Sequence, residues 1–386
     1  MVNEELGRAC EALGRLGADV AVLGSVANVT YVTNVEVPIP VGAMAELTYA
    51  PWLAVLSVRD RRGWAIVPDF AADRITQNAE DFEALSFDTF DSFAKSDPNG
   101  TYLAQLETAL QQAGLTKAGT LAFESRAAPA MVLQHIAHRA WPPDVVEAEG
   151  ALAEARWIKT AREIGLLRHA SHLSDVGQNT LASLCRGAGR NEIDMWAEIA
   201  ASIYKEEGRD IVLSGELVTG PRSSKVAYPN GPHDRVTGTG DAVLMDLSGR
   251  VNGYWFDCAN THVIGDVDPT KEQMQFARAS QDACEAAMAA LKPGAKASDA
   301  AAAAEKAFAA QGLPMAHYAG HQIGATVNEL PRLVPYDDSV IRAGMIFSVE
   351  PGAYQGPGGD FGARSEKMVL VREDGPEILS QFWWGI

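Results

Sequence analysis

The sequence predicts a two-domain α/β protein, and three observations lead there. The chain has 386 residues, more than one ordinary core accommodates and enough for two. Residues 1–150 alternate apolar strand-like runs with stretches of helical spacing, the pattern of an α/β layer. Residues 151–386 mix helices and strands (α+β) and hold nearly all the polar constellations that could do chemistry. The expectation is one domain over 1–150 and a second over 151–386.

In the first half, residues 4–16 have helical spacing. Residues 19–23, 52–58, 63–68 and 120–124 read as buried strands, with a charged turn at Arg59-Asp-Arg-Arg before the third. Residues 128–140 read as a helix bearing His135 and His138. A metal site is one reading of that pair, and a half-exposed helix face is the simpler one. Val37-Pro-Ile-Pro-Val-Gly is a loop that suits a rim or a partner contact. Residues 151–183 read as one long helical region linking the domains. A break at Gly187-Ala-Gly189-Arg-Asn191-Glu192 precedes a helix over 194–207. Residues 211–219 form a strand, and the Gly, Pro and Ser-rich stretch that follows, up to Gly240, is a long loop bordering the site. Residues 273–291 and 298–311 are helices, and 345–351 and 363–371 are strands.

Composition narrows the function classes. Apolar residues make up 47% and charged residues 21%, so an ordinary globular protein is expected. The net charge of −18 opposes nucleic acid or an anionic membrane as partner, and part of it suits a carboxylate cluster holding cations. No apolar run reaches the roughly 18 residues of a membrane span. The opening Met1-Val-Asn-Glu-Glu5 is acidic without an apolar signal core, so a cytoplasmic location is expected. Cys10, Cys185, Cys258 and Cys284 lack CxxC spacing, which argues against a disulfide framework or a zinc finger.

The stretch Val243-Leu-Met-Asp246-Leu-Ser-Gly249-Arg-Val-Asn-Gly253-Tyr-Trp-Phe-Asp257 organises the rest. It reads as a hairpin turning near Asn252-Gly253, with two aspartates eleven residues apart. A turn at Val251-Asn252 sets them directly opposite each other, and a turn at Asn252-Gly253 sets them on a diagonal. Either way they share a face, and like charges so placed call for a cation. Cys258 should point to the other face, as packing. Three further elements carry candidates. His317-Tyr-Ala-Gly320-His321-Gln-Ile-Gly324 surrounds His321 with small residues that permit close backbone approach. Phe347-Ser-Val-Glu350-Pro-Gly352 puts a glutamate after a buried run, where carboxylates are rare unless paired or metal-bound. Gly362-Ala-Arg364-Ser-Glu366 opens a strand, with Arg364 on the same face as Glu366. A hairpin through the Gly-rich residues 355–360 brings Glu350 and Glu366 together. Four carboxylates and one imidazole suit Mn, Co, Fe or Zn, and two ions fit the count better than one.

In this order and with these neighbours, Asp246, Asp257, His321, Glu350 and Glu366 resemble the metal signature of the pita-bread metallohydrolases, the family of methionine aminopeptidase, aminopeptidase P, prolidase and creatinase. The resemblance covers residues 155–386. The first half is similar to the creatinase-type N-terminal domain through Ala27-Asn-Val-Thr-Tyr31-Val-Thr33-Asn, and Arg156-Trp-Ile-Lys159-Thr-Ala-Arg-Glu163-Ile164 resembles the interdomain segment. The resemblance implies a pita-bread catalytic domain over 151–386 behind a smaller creatinase-like α/β domain over 1–150. It implies a hydrolase that cleaves a C–N amide bond, Xaa-Pro dipeptidase- or aminopeptidase-like, through a metal-bridging hydroxide. Asp246 chelates one divalent ion, Asp257 and Glu366 bridge two, and His321 and Glu350 complete the other. Glu350 also carries the proton, His317 hydrogen-bonds near the substrate, and Arg364 orients the carboxylates. The resemblance further implies a homodimer, with residues 38–52 reaching the partner's site.

The sequence departs from the family pattern in several places. A histidine usual seven residues after the metal histidine is Asn328, which can donate a hydrogen bond but cannot shuttle a proton at neutral pH. The loop histidine of a Pro-His-Gly context is displaced to His233 within Ala227-Tyr-Pro229-Asn230-Gly231-Pro232-His233. The run Asp-x-Thr-Arg-Thr is Asp257-Cys-Ala-Asn260-Thr261, and Lys367 follows Glu366 where an acid is common. These changes leave two substrate classes open: an Xaa-Pro dipeptide, or a small non-peptide amide or amidine of the creatine or ectoine kind. A metal-free creatinase-like enzyme sits poorly with the complete ligand set. A non-catalytic binding protein on the same fold would have lost the ligands and gained charged tails, and neither is seen. Trp52, Tyr254 and Trp255 are candidates for an aromatic rim.

Overall fold

Alternation along the apolar strands of the first half sends neighbouring side chains to opposite faces, and helices cover both. The computed structural model describes residues 3–140, 142–226 and 230–386, apart from the side chains of Met44 and Leu47. The chain divides into two units, Met1–Arg156 and Trp157–Ile386.

The first unit is built on β1 (Val20–Leu23), β2 (Leu53–Ser57), β3 (Arg62–Pro68), β4 (Phe82–Phe87), β5 (Thr120–Phe123) and β6 (Asp144–Glu147), in the spatial order β4-β3-β2-β1-β5-β6. The β1–β2 and β2–β3 pairings are antiparallel and the others parallel. Its helices are α1 (Glu4–Arg15), α2 (Val26–Thr33), α3 (Ala43–Leu47), α4 (Ala72–Asn78), α5 (Pro98–Gln112), α6 (Ala130–Ala137) and α7 (Glu149–Ala155). Ala21, Leu23, Ala54, Leu56, Ala65 and Val67 pack with α1, α2, α4 and α7 on one face. Val20, Val22, Leu53, Val55, Trp64 and Ile66 pack with α5 and α6 on the other. The strands β4 and β6 escape the sequence reading because they are edges: β4 is only partly buried and β6 is mostly exposed, so neither carries a continuous apolar run.

The second unit holds α8 (Ala161–Leu184), α9 (Glu192–Glu207), β7 (Val212–Thr219), β8 (Ala242–Val251), β9 (Tyr254–Val263), α10 (Lys271–Ala290) and α11 (Ala297–Ala310). There follow β10 (Gly320–Gln322), β11 (Glu329–Arg332), β12 (Ile346–Val349), β13 (Gly352–Tyr354), β14 (Gly362–Arg364), β15 (Lys367–Arg372) and β16 (Gly375–Ile378). The strands form an antiparallel sheet β7-β8-β9, an antiparallel sheet β11-β10-β12-β15-β16, and the pair β13-β14. Alanines along α10 and α11, among them Ala279, Ala283, Ala300 and Ala304, let both helices close onto Phe347, Val349 and Val369 of the second sheet. Among the described residues, no helix is long and apolar enough to cross a membrane.

The single helical region expected over 151–183 is two helices. The second starts afresh because Thr160 and Glu163 form a capping box: Thr160 Oγ1 accepts from the Glu163 amide at 3.1 Å, and Glu163 Oε2 accepts from the Thr160 amide at 2.9 Å. The interruption frees Lys159 to turn inward, where its Nζ donates to Gln322 Oε1 at 2.7 Å and Glu329 Oε2 at 3.1 Å. That buried cation ties the segment before α8 to β10, which carries His321, and to its neighbour β11.

Replacing Thr160 with Ala should lower unfolding free energy by about 1 kcal/mol, the typical value of an N-cap. Urea unfolding with an unchanged slope checks this, and an unchanged midpoint would contradict it. His262, buried on β9 with its Nε2 unpartnered, is pushed by burial from 6.5 down to about 4. Folding therefore favours the neutral ring. Its contribution is complete above about pH 6.5 and is lost as the pH falls from there toward 4, by on the order of 3 kcal/mol in total. Unfolding measured across pH 4–7 should slope accordingly, and His262→Leu should flatten that slope.

Candidate metal centre

The aspartate hairpin turns at Asn252 and Gly253, whose φ angles of 51° and 86° suit the two-residue turn that matches strand twist. The register pairs Ser248 with Asp257 and Asp246 with Ala259, so the two aspartates lie on the diagonal. Ser248 takes the place directly opposite Asp257 and donates its hydroxyl to Asp257 Oδ1 at 2.8 Å. On the neighbouring β7, Glu216 stands opposite Asp246.

The other half of the site comes from the second sheet. His321 lies on β10 and pairs with Ser348 of β12. Val349 pairs with Lys367 in the five-stranded sheet and Gly352 with Arg364 in the β13-β14 pair, so Glu350 and Glu366 fall between the two pairings at matching positions. The hairpin through 355–360 is present as β13-β14. Two bonds stitch the halves together close to the ligands: the Glu366 amide donates to the Ala259 carbonyl at 2.9 Å, and Ser348 Oγ donates to the Asp257 carbonyl at 3.0 Å. The small residue before His321 matters as the sequence suggests. Gly320 has φ +152°, and a Cβ there would sit well inside van der Waals contact distance of the Ser348 carbonyl oxygen.

Asp257, His321 and Glu366 each offer a ligand atom within 4.8 Å of the others, and all three are buried. His321 Nε2 lies 3.2 Å from Glu350 Oε1 and 3.7 Å from Asp257 Oδ2. Its Nδ1 is 2.8 Å from the Gln322 carbonyl oxygen, which can only accept. The ring is thus oriented with Nδ1–H outward and Nε2 toward the carboxylates, as in metal-binding histidines. Asp246 Oδ1 and both oxygens of Glu366 are buried with no hydrogen-bond partner.

Burial raises Asp257 well above the usual carboxylate range, and the charges of Asp246 and Glu350 raise it further. Glu366 rises for the same reason, burial first and then Asp257 and Asp246. Glu350 goes the other way, to about 2: burial raises it, but contact with His321 and the Arg364 charge outweigh that. Arg364 is the buried cation of the cluster. It donates through Nη1 to Asp246 Oδ2, through Nη2 to Glu216 Oε2 at 3.0 Å, and through Nε to the Tyr354 hydroxyl at 2.9 Å. Burial pushes Glu216 up to about 7 against the pull of Arg364. One guanidinium cannot neutralise this many buried acceptors. The orphaned oxygens and the inward imidazole nitrogen are the donor set of an oxygen-rich divalent-metal site.

A cavity of about 280 Å³ opens above the cluster, lined by Asp246, Asp257, His321, Glu350 and Arg364, with Val226, His317, Tyr318, Val327 and Asn328 as walls. His317 Nδ1 lies 3.0 Å from the Tyr318 carbonyl oxygen and its Nε2 3.3 Å from the Tyr354 hydroxyl. Burial, then the Arg364 charge, holds its imidazole below the ordinary value. Asn328 donates through Nδ2 to the Tyr318 hydroxyl at 3.2 Å and accepts from Arg332 Nε at 2.9 Å. Asp246, Asp257, His317, His321, Asn328, Glu350, Arg364 and Glu366 thus meet at one place, while Lys367 faces away from it.

The expected aromatic rim is corrected. Trp52 is buried in the first unit's core, Tyr254 is buried and donates to Glu163 Oε1 at 3.1 Å, and Trp255 is not among the residues that line the cavity. The walls are instead Val226, Val327 and Tyr318. His233 is exposed, and its amide binds Glu192 Oε2 at 2.9 Å; residues 227–229 of that loop lie outside the described residues. His135 and His138 lie on a half-exposed helix face, the simpler of the two readings: His135 faces Glu107 at 3.4 Å and His138 its own helix, and among the described residues no third ligand joins them. Glu216, Ser248, Tyr318 and Tyr354 were missed. Only Glu216 left a trace in the sequence, as a lone acid inside a strand.

Two family models match the chain. The metallopeptidase family M24 model covers residues 165–373, more than half of the chain, and the creatinase/prolidase N-terminal domain model covers residues 6–158. The chain belongs to metallopeptidase family M24. Metallopeptidases of this family use divalent metal ions, in keeping with the donor set. The M24 chain is 36% identical over 233 residues to a Mycobacterium tuberculosis protein named "Probable dipeptidase PepE", and this match spans 60% of each chain's length. Its fold superimposes on dipeptidase PepE from Mycobacterium ulcerans with a TM-score of 0.77 at 26% identity, covering 99% of this chain and 96% of that one. It superimposes on the Xaa-Pro dipeptidase from Bacillus anthracis with a TM-score of 0.81 at 21% identity, covering 99% and 98%. These likenesses give the M24 chain a C-terminal pita-bread domain behind a creatinase-like N-terminal domain.

Replacing Gly320 with Ala should push β10 off β12 and displace His321. Metal retained after gel filtration should fall at least about tenfold, whereas retention equal to that of the unaltered protein would show that the strand tolerates the methyl group.

Proposed function

We propose that this M24 chain is a metal-dependent hydrolase that cleaves the C–N bond of a dipeptide, of the Xaa-Pro kind or close to it. The observation that carries this reading is the buried group of acceptors, with Glu366 and Asp246 oxygens unpartnered, at the floor of a cavity sized for a small molecule. The names of the relatives, dipeptidase and Xaa-Pro dipeptidase, support the substrate class.

Asp246, Asp257, His321, Glu350 and Glu366 would hold two divalent ions, Mn, Co, Zn or Fe. Such ions supply Lewis acidity and make water nucleophilic near neutral pH. The rest of the work falls to the chain's own groups. Glu350 accepts the proton of the attacking water and passes it to the leaving nitrogen. Arg364 occupies the outer oxygen of Asp246 and pairs with Glu216, which keeps the other Asp246 oxygen turned to the cavity. A run of hydrogen bonds from Arg364 through Tyr354 to His317 holds the histidine ring as a fixed wall beside the substrate. Asn328 stands across from it and donates without exchanging a proton. That asparagine also supports a second reading, hydrolysis of a small non-peptide amide, since the peptidase pattern has histidine there.

The test is metal content of the purified protein together with hydrolysis of Xaa-Pro dipeptides, other dipeptides and small cyclic or guanidino amides, before and after chelation. The expected outcome is about two divalent ions per chain and chelator-sensitive cleavage of a dipeptide. Glu350→Gln should lower kcat by roughly 10²–10⁴-fold. Cleavage of the amides alone would favour the second reading. Turnover without bound metal, unchanged by chelator, would overturn both.

A further inference from the structure

Two departures from the family pattern, Asn260 and Lys367, remain without a role in the chemistry. Both face away from the cavity, because they alternate with Asp257 and Glu366 along their strands. Both bind the same segment, residues 380–386. Asn260 Nδ2 donates to the Trp383 carbonyl at 2.9 Å, and Asn260 Oδ1 accepts from the Gly385 amide at 3.1 Å. Lys367 Nζ donates to the Phe382 carbonyl and lies 3.2 Å from the centre of the Phe382 ring and 4.5 Å from that of Trp384. Ser380 completes the pattern. Its hydroxyl accepts from the Met368 amide at 2.8 Å and meets Cys258 Sγ at 3.4 Å. Asp175 on α8 anchors the segment from a third side, accepting from the Gln381 and Phe382 amides at 2.8 and 3.2 Å.

The partners alternate between two sheets. Cys258 and Asn260 belong to β9, the strand of Asp257, while Lys367 and Met368 belong to β15, the strand that begins beside Glu366. β9 and β15 lie in different sheets, so in place of a regular ladder their spacing rests on a few single bonds: the Glu366 amide to the Ala259 carbonyl and the reciprocal Thr261–Arg364 pair on the cavity side, and the 380–386 contacts on the other side. That spacing decides how far apart the Asp257 and Glu366 carboxylates sit.

We propose that residues 380–385 form a positioning strap for the metal centre: Ser380, Asn260 and Lys367 pin β9 to β15 from behind and so set the separation of Asp257 and Glu366. The inference rests on the metal reading above. The strap residues touch neither metal nor substrate, and they act through the two strands. An aromatic cage around a buried lysine suits this purpose, because cation–π contact holds the ammonium without introducing another anion near the carboxylates.

The test uses the full chain stripped of metal by chelator and titrated with Mn(II) by calorimetry, with Co(II) absorption as a second readout of ligand geometry. The double variant Asn260→Ala/Ser380→Ala and the single variant Lys367→Met should bind Mn(II) at least about tenfold more weakly and show an altered Co(II) spectrum. Ser380→Thr, which keeps the hydroxyl, should restore binding. Phe308→Leu, in the core far along α11, supplies the control: it should lower Tm and leave the Mn(II) affinity in place. Should the double variant fail to fold, Ser380→Ala alone carries the test. Strap variants that lose Tm like the control but bind Mn(II) within about twofold of the unaltered protein would overturn the inference and leave the metal reading standing. An unaltered protein that binds neither Mn(II) nor Co(II) would overturn the metal reading, and the strap with it.

Discussion

Like charges forced together inside a protein are the constraint on which this structure turns. Asp246, Asp257, Glu350 and Glu366 are all buried in one place, and the buried Arg364 guanidinium pairs with Asp246 on one side of them. Burying an ionised carboxylate without a partner costs more than any nearby packing returns. The second unit is therefore arranged around a place for positive charge. Arg364 accounts for one side of it, and the unpartnered oxygens of Asp246 and Glu366 mark the other.

Two sheets divide the carboxylates between them, and this division explains much of the surrounding architecture. Period-two alternation places Asp246 and Asp257 on one face of their hairpin and leaves the other face for packing or anchoring, while Glu350 and Glu366 stand just outside the ends of their strands. Glycine at 320 lets β10 approach β12 without a side chain in the way. Lys159, freed by the break before α8, ties Gln322 and Glu329 to the rest of the unit from beneath. The segment 380–386 does the same for β9 and β15. The supports are hydrogen bonds to backbone and side chains on the outer faces, so the inner face keeps its acceptors free.

The cavity walls follow a different logic. His317, Tyr318, Tyr354 and Asn328 are linked to one another and to Arg364 or Arg332 by hydrogen bonds, which orients their rings and amides before any ligand arrives. Preorganisation of this kind lowers the ordering cost of binding. It also means that replacing histidine by Asn328 changes the chemistry of one wall without loosening it.

From sequence alone come the candidate metal ligands, the hairpin that carries two of them, and the expectation of two halves of different character. These are legible there because strand alternation, turn residues and short motifs such as Glu350-Pro-Gly352 are local signals. The sequence left the turn register open between two choices, and only the folded hairpin, with Asn252 and Gly253 at positive φ, put the aspartates on a diagonal. It did not reveal the edge strands, whose pairing comes from the sheet rather than from their own residues. Nor did it reveal that Glu216, Tyr318 and Tyr354 meet Arg364 and His317, since these contacts join positions far apart in the chain. Asn260 and Lys367 read as losses from a pattern until the fold brought residues 380–386 against both. Local chemistry is written in the order of residues, while the partners of a buried charge are chosen only when distant strands come together.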